Sequence, residues 1–177
     1  MRNRLLIAAV LVGTLLGAWR IVVDRRNPSH PNLSSTEALI SYASDQAVRE
    51  AQKFDAIRLD YSIDSLKQVD TILGRVHELY VKNPSPVHTR GIALEYGAYV
   101  GEVIRRHEAG AYWTQDSKAG AKTYPLHWKN GETFPLAWCE KRIINGDEDS
   151  IWFKYTAIQT DLLGSANKQV SEAERRK

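Results

Sequence analysis

From Leu5 to Trp19 the chain runs without a charged residue, and after Arg20 the apolar run resumes with Ile21, Val22 and Val23. A helix over residues 5–23 would be roughly 28 Å long at about 1.5 Å per residue, close to the thickness of a hydrocarbon core. No polar face exists between residues 5 and 19, so the pattern predicts a membrane-spanning helix containing Leu5, Leu11, Leu16, Trp19 and Val23 rather than a buried amphipathic one. Arg20 lies near one end, where its long side chain can reach the headgroups while Trp19 sits at the interface. A cleaved signal peptide would need two small residues one position apart, and the partner positions of Gly17 and Ala18 are Leu15 and Leu16. An uncleaved anchor is therefore expected.

Past the anchor (residues 1–26), Pro28 and Pro31 mark a linker over residues 27–33. Ser34 with Glu37 three residues later reads as a capping box, which opens a helix with Leu39, Ala43, Ala47, Ala51 and Phe54 on one face. A second helix, capped by Ser62 and ending near Lys82, collects Leu66, Val69, Ile72, Leu73, Val76, Leu79 and Tyr80 in one arc opposite Lys67, Arg75, Glu78 and Lys82. The Asn83-Pro84-Ser85-Pro86 run ends it. The third helix, over residues 89–108, puts Ile92, Tyr96, Tyr99, Val100, Val103 and Ile104 on one face and leaves a strip with Glu95, Glu102, Arg105 and Arg106 for water. Gly97 and Gly101, four apart on it, predict close approach of another backbone.

Beyond Gly110 the pattern shifts to short aromatic and β-branched pieces. Residues 111–115 and 123–128 read as strands, with Asn130-Gly131 as a two-residue hairpin turn that sets Lys129 opposite Glu132 and with Pro125 marking an edge strand. Pro135 opens a helix carrying Leu136, Cys139 and Ile143 that Asn145 and Gly146 end. Asp147, Glu148, Asp149 and Ser150 then cap a last helix with Ile151, Tyr155, Ile158 and Leu162. The expected architecture is α+β: an amino-terminal transmembrane helix, then a single domain over residues 34–163 in which helices pack on a small antiparallel sheet and helices follow, and a polar tail over 164–177.

Charge narrows the function. Of 24 Lys and Arg against 21 Asp and Glu, five Arg and one Asp fall in residues 1–26, which leaves 19 basic and 20 acidic residues in the body. A near-neutral body lacks the basic footprint that nucleic-acid binding requires. One cysteine, Cys139, excludes an internal disulfide and a Cys-based zinc site. The short tail with Arg2 and Arg4 favours the cytoplasmic side and Arg20, Arg25 and Arg26 oppose it; the reading taken is a single-pass protein of a bacterial inner membrane with a periplasmic body.

Templates for zinc hydrolysis, phosphate loops, nucleophile elbows and dinucleotide binding are missing from the chain, and no catalytic residue, cofactor or metal is assigned. His107 falls within the apolar arc of the third helix and is the histidine best placed for binding, with Glu78, Glu102 or Cys139 as conceivable neighbours. A His127–Cys139 pair reads as structural because Cys139 looks like a small core side chain, Glu95 and Glu102 as solvated, and Asp147 to Asp149 as a helix start rather than a calcium loop. Nine of the sixteen aromatic residues lie between Tyr112 and Tyr155, and Trp113, Trp128, Trp138 and Trp152 among them are the candidates for a binding surface, with most of the cluster expected in the core.

The stretch GAYVGEVI from Gly97, the strand at Trp113 and the run KRIINGDEDS from Lys141 resemble a family of small bacterial proteins that shares a Gly-Ala-Tyr-x-Gly-Glu helix before a Trp strand and an Asn-Gly turn into an acidic helix start. The resemblance spans residues 59–158, implies an α+β fold and brings no activity or site residues. The function expected is a membrane-anchored, non-enzymatic protein-binding or adaptor domain of the cell envelope, with a toxin-blocking immunity protein as its specific form. The alternatives are a glycan-directed hydrolase or glycan-binding protein, which needs exposed Trp near a carboxylate or His, and an accessory subunit that assembles through the Gly97 and Gly101 face.

Overall fold

A computed structural model describes residues 33–129 and 131–160. The chain divides into two units, Met1–His30 and Pro31–Lys177, and the predicted span over residues 5–23 lies outside the described residues. Among the described residues no helix is long and apolar enough to cross a membrane.

Helix α1 (Thr36–Asp55) starts one residue later than the capping box implied, with Ser35 as the cap whose Oγ accepts from the Ala38 amide at 3.1 Å. Its buried stripe is Ile40, Ala43, Ser44, Ala47 and Ala51, and small side chains at this spacing let it settle closely on α3. Helix α2 (Ser65–Lys82) begins where the Ser62 hydroxyl accepts from the Ser65 amide, and it buries Leu66, Val69, Ile72 and Leu73. Helix α3 (Pro86–His107) starts earlier than expected, because Pro86 occupies its first turn, where a missing N–H costs nothing.

The fold is α+β as predicted, with three short antiparallel strands β1 (Tyr112–Trp113), β2 (Leu126–Trp128) and β3 (Gly131–Thr133) in the order β1-β2-β3. Two details of the hairpin differ from expectation. Trp128 pairs with Gly131, so Gly131 belongs to β3 and not to the turn, and Glu132 faces His127 instead of Lys129. Lys129 takes the positive φ, 49°. Strand β2 is also the middle strand, not an edge; Pro125 lies just before it and needs only its carbonyl, which accepts from the Thr114 amide at 3.1 Å. Helix α4 (Pro135–Asn145) ends at Gly146 with φ 80°, followed by a 3-10 turn (Gly146–Asp149) and a helix α5 over residues 151–160 that the Ser150 hydroxyl caps by accepting from the Phe153 amide.

Helix α3 is the core of the domain, packed by α1 on one side and α4 on another. A Cβ on Gly97 would lie 2.5 Å from Leu136 Cα, and one on Gly101 would lie 2.1 Å from Trp113 Cζ2. The glycine face is thus filled by this chain's own α4 and β1. Because backbone rather than a flexible side chain meets Gly97, Gly97→Ala is expected to destabilise the domain by about 1–3 kcal/mol, read as a lower midpoint in chemical denaturation.

Burial of α3 also corrects the strip predicted to face water. Glu95 and Glu102 are 9% and 6% exposed. Of the predicted strip only Arg105 and Arg106, on the last turn of α3, project into solvent. A 3.6-residue pattern marks one apolar face, but a helix enclosed by several neighbours buries its polar positions as well.

The helices run antiparallel in a way that gathers particular ends. The Tyr61 hydroxyl meets Ser44 Oγ of α1 at 2.9 Å, its amide donates to the Tyr99 hydroxyl at 2.8 Å, and its ring lies under Arg106 of α3, whereas the Asp55 end of α1 pairs with Arg75 at 2.6 Å. Tyr99 donates to Ser65 Oγ at the start of α2, and Arg90 faces Glu140 of α4 at 3.9 Å while Leu136 backs Gly97. The carboxyl ends of α1, α2 and α4 and the amino end of α3 therefore share one end of the domain, opposite the end where α1 begins.

Candidate functional site

The structure separates the residues proposed for binding. Trp113 and Trp128 are each 6% exposed. Trp113 Nε1 donates to Glu102 Oε1 at 3.0 Å and its ring fills the space over Gly101, while Trp128 stacks on Tyr155. These two rings are core. The sheet is so short that its inner positions become its hydrophobic contact with α3 and α5. Trp138 and Trp152 are half-buried, and the Lys67 ammonium lies 4.3 Å from the Trp152 ring.

His107 is exposed, contrary to its predicted place within the apolar arc, because α3 ends at that residue and its neighbours stop short of the last turn. Its Nε2 donates to the Tyr61 carbonyl at 3.0 Å, which pins the loop before α2 to the end of α3. Glu102 is held by Arg105 through Nε and Nη2 at 2.7 and 2.8 Å. Burial pushes its carboxyl upward, but the bonds from Arg105 and Trp113 and the nearby Arg106 charge outweigh this and hold it below the usual range.

Cys139 is fully buried, and desolvation drives its thiol far above the usual range, so no thiolate is offered for nucleophilic chemistry. On the outer face of the sheet Tyr112 stacks on His127 at 4.7 Å, with Glu132 next in the row. Thr114 Oγ1 and Glu132 Oε1 approach the same imidazole nitrogen, Nε2, at 2.9 and 4.0 Å. A hydroxyl nucleophile, base and orienting acid need the two opposite ring nitrogens, and this geometry does not supply that relay. Among the described residues no cluster of three or more His, Cys, Asp or Glu could hold a metal ion.

The most connected polar group is one that the sequence did not single out. Asp70 of α2 accepts from Arg142 Nε at 2.8 Å, Ser150 Oγ at 2.5 Å, and the Ile151 and Trp152 amides at 3.0 and 3.3 Å. It thereby pairs a buried guanidinium and caps α5 from another helix. Arg142, 5% exposed, also donates through Nη2 to Asp147 Oδ1 at 2.7 Å, and its Nη1 has no partner. Gly74 is what makes room, since a Cβ there would lie 2.9 Å from Nη2. Arg142 lines two open recesses, one of about 260 Å³ beside Lys67, Thr71 and Trp152, and one of about 350 Å³ between α2 and α4 beside Gly74, His77 and Glu78. The available signal was Arg142 itself, three residues after Cys139 and next to Ile143 on the stripe of α4 that otherwise reads as core.

Five of the eight large apolar side chains exposed among the described residues lie on helix termini at one end; the other three are Leu33, Tyr112 and Phe153. Leu79 and Val81 at the end of α2, Val87 at the start of α3 and Ile144 at the end of α4 are 63%, 62%, 80% and 41% exposed, with Phe54 on the last turn of α1 at 44%. Leu79 and Phe54 were predicted on buried faces. The helices overrun the core here, so their apolar arcs continue past the residues that cover them. Lone apolar side chains on a surface are ordinary, but five on converging helix ends form the kind of surface that marks an interaction site. No family model, no curated protein and no solved structure matches the chain.

Proposed function

We propose that the protein is a non-enzymatic protein-binding domain of a bacterial envelope, tethered to the inner membrane by residues 5–23, with its body in the periplasm. The observation that carries this reading is the exposure of Leu79, Val81, Val87, Ile144 and Phe54 at one end of the domain. Binding energy at interfaces concentrates in desolvated apolar and aromatic anchors, and this end offers several without a covering element among the described residues.

Two further features favour binding over the alternatives. The glycan reading relies on Trp faces available to a sugar; of its four candidates Trp113 and Trp128 are buried, and Trp138 and Trp152 are half-buried. The immunity form calls for a strongly charged complementary patch, whereas charges at this end oppose each other, as in the pairs Arg75 with Asp55 and Arg90 with Glu140. The broader partner-binding reading is therefore the one adopted.

Photo-cross-linking in living cells checks it, with a photoreactive amino acid placed at Val87 or, for comparison, at Lys118, which is exposed in the β1–β2 connection. The expected result is one discrete adduct from position 87 and none from 118. Equal, diffuse labelling at both positions would remove the reading.

A further inference from the structure

The apolar end continues inward along one side of α3. Val87, Gly91 and Glu95 follow one another at four-residue steps, so they form a row from the helix start toward the middle of the domain. Val87 is 80% exposed and Glu95 9%. Between them Gly91 is exposed, and a Cβ built on it would meet nothing within 4 Å. On the antiparallel α1, Phe54 and Glu50 make the same four-residue step, with Phe54 exposed at the helix end. The Glu50 charge acts on Glu95, which puts the two acidic residues on the same flank of the α1–α3 contact. The surface therefore passes from apolar side chains, over a glycine with open space above it, to two carboxyl groups.

The protein itself satisfies neither carboxyl. Among the described residues the Glu95 and Glu50 side chains have no hydrogen-bond or ion-pair partner. The partnerless side-chain atoms that are sealed from the surface are Thr133 Oγ1 and Arg142 Nη1, so the Glu95 oxygens still reach it. Cations at this end are engaged elsewhere: Lys53 lies over the Phe54 ring, Arg75 pairs with Asp55, and Arg90 faces Glu140 of α4. A buried acid beside a second acid repels anions and favours a cation that brings its own N–H donors. A metal ion fits poorly, because no group of three or more His, Cys, Asp or Glu among the described residues could hold one. An ammonium or guanidinium on a methylene stem matches both the acidic end and the glycine floor.

We propose that this trough receives a lysine or arginine side chain of the protein partner seated on the apolar end, its stem lying over Gly91 and its charged head meeting Glu95 and Glu50. The inference rests on the partner-binding reading and specifies the partner, whose apolar contact residues are accompanied by a basic side chain.

The test uses the full-length chain in detergent micelles, above the value of about 7 to which the free Glu95 carboxyl is raised. Butylammonium is the probe and butanol its uncharged counterpart. Butylammonium is expected to give saturable NMR shifts at Gly91, Glu95 and Glu50, and butanol none there. Glu95→Gln should weaken butylammonium binding about tenfold, the worth of one charge-assisted hydrogen bond. Because that substitution is expected to stabilise the domain, the loss would not come from unfolding. Gly91→Leu fills the trough from an exposed helical position, and it should block the probe without lowering the unfolding midpoint. In cells, Glu95→Gln should sharply reduce the photo-adduct from position 87. Absence of saturation, an equal response to butanol, or binding unchanged in Glu95→Gln would overturn the cation site. The two readings fail separately: an adduct from position 87 at full yield in Glu95→Gln removes the cation site and leaves the partner, whereas no adduct in the parent removes the partner and with it the source of the cation.

Discussion

Replacing Asp70 by Ala is expected to lower the unfolding free energy by about 3–5 kcal/mol, enough to unfold a domain of ordinary stability. The substitution removes the carboxylate that accepts from Arg142, Ser150, Ile151 and Trp152. What remains is a guanidinium 5% exposed, with Asp147 as its remaining counter-ion, at a position whose side chain is almost wholly in solvent. The start of α5 also loses its long-range cap, a smaller effect of about 1 kcal/mol. The controlling comparison is a second background in which Arg142 is already Met. There the carboxylate has no buried cation to neutralise, and the same Asp70→Ala should cost far less, because removing the whole buried pair avoids the unpaired charge. Urea denaturation of the four variants measures the coupling. Equal costs of changing Asp70 in the two backgrounds would show that the pair is not what holds α2, α4 and α5 together.

Glu95→Gln is expected to stabilise the domain, and only above a defined pH. Glu95 is buried without a hydrogen-bond partner, and desolvation, with a smaller contribution from the Glu50 charge on α1, raises its carboxyl from 4.5 to about 7. Between these values the folded state binds a proton that the unfolded chain has released, so stability falls as pH rises through this window and the loss is complete above it. A shift of this size corresponds to about 3 kcal/mol. The Gln variant carries no titrating group at 95, and its stability should stay level where the parent's declines. Below pH 4.5 both carboxyls are protonated and the two proteins should differ little. Stability measured at pH 4 and at pH 8 decides it: curves that remain parallel between them would mean that water or a counter-charge reaches Glu95.

The elements that were legible are those with a local cause. The stripe of Ala43, Ala47 and Ala51, the Leu66 to Leu73 arc, Pro135 at a helix start and Gly146 at a helix end all act within a few residues, and the structure places each where expected. The burial of Glu95 and Glu102 was not legible, because it depends on how many neighbours enclose α3, and periodicity reports only the preferred face. The hairpin slipped by one residue because Lys129 takes a positive φ while Gly131 pairs as a strand residue. Asp70 and Arg142, 72 residues apart in the chain, meet only once α2 and α4 are packed. The exposed end was hidden for the opposite reason: Leu79 continues the apolar arc of α2, and nothing local says that the core has stopped.

The central claim, that the apolar helix end is where the protein binds its partner, is tested most directly by carrying the cross-linker at Leu79 in the full-length protein and adding Val87→Asp. Val87 is 80% exposed, so the substitution should leave the unfolding midpoint unchanged. The adduct from position 79 is expected to disappear, because a carboxylate in a desolvated apolar contact opposes association. An adduct that survives Val87→Asp at full yield, in a protein of unchanged stability, would contradict the assignment of this end as the binding surface.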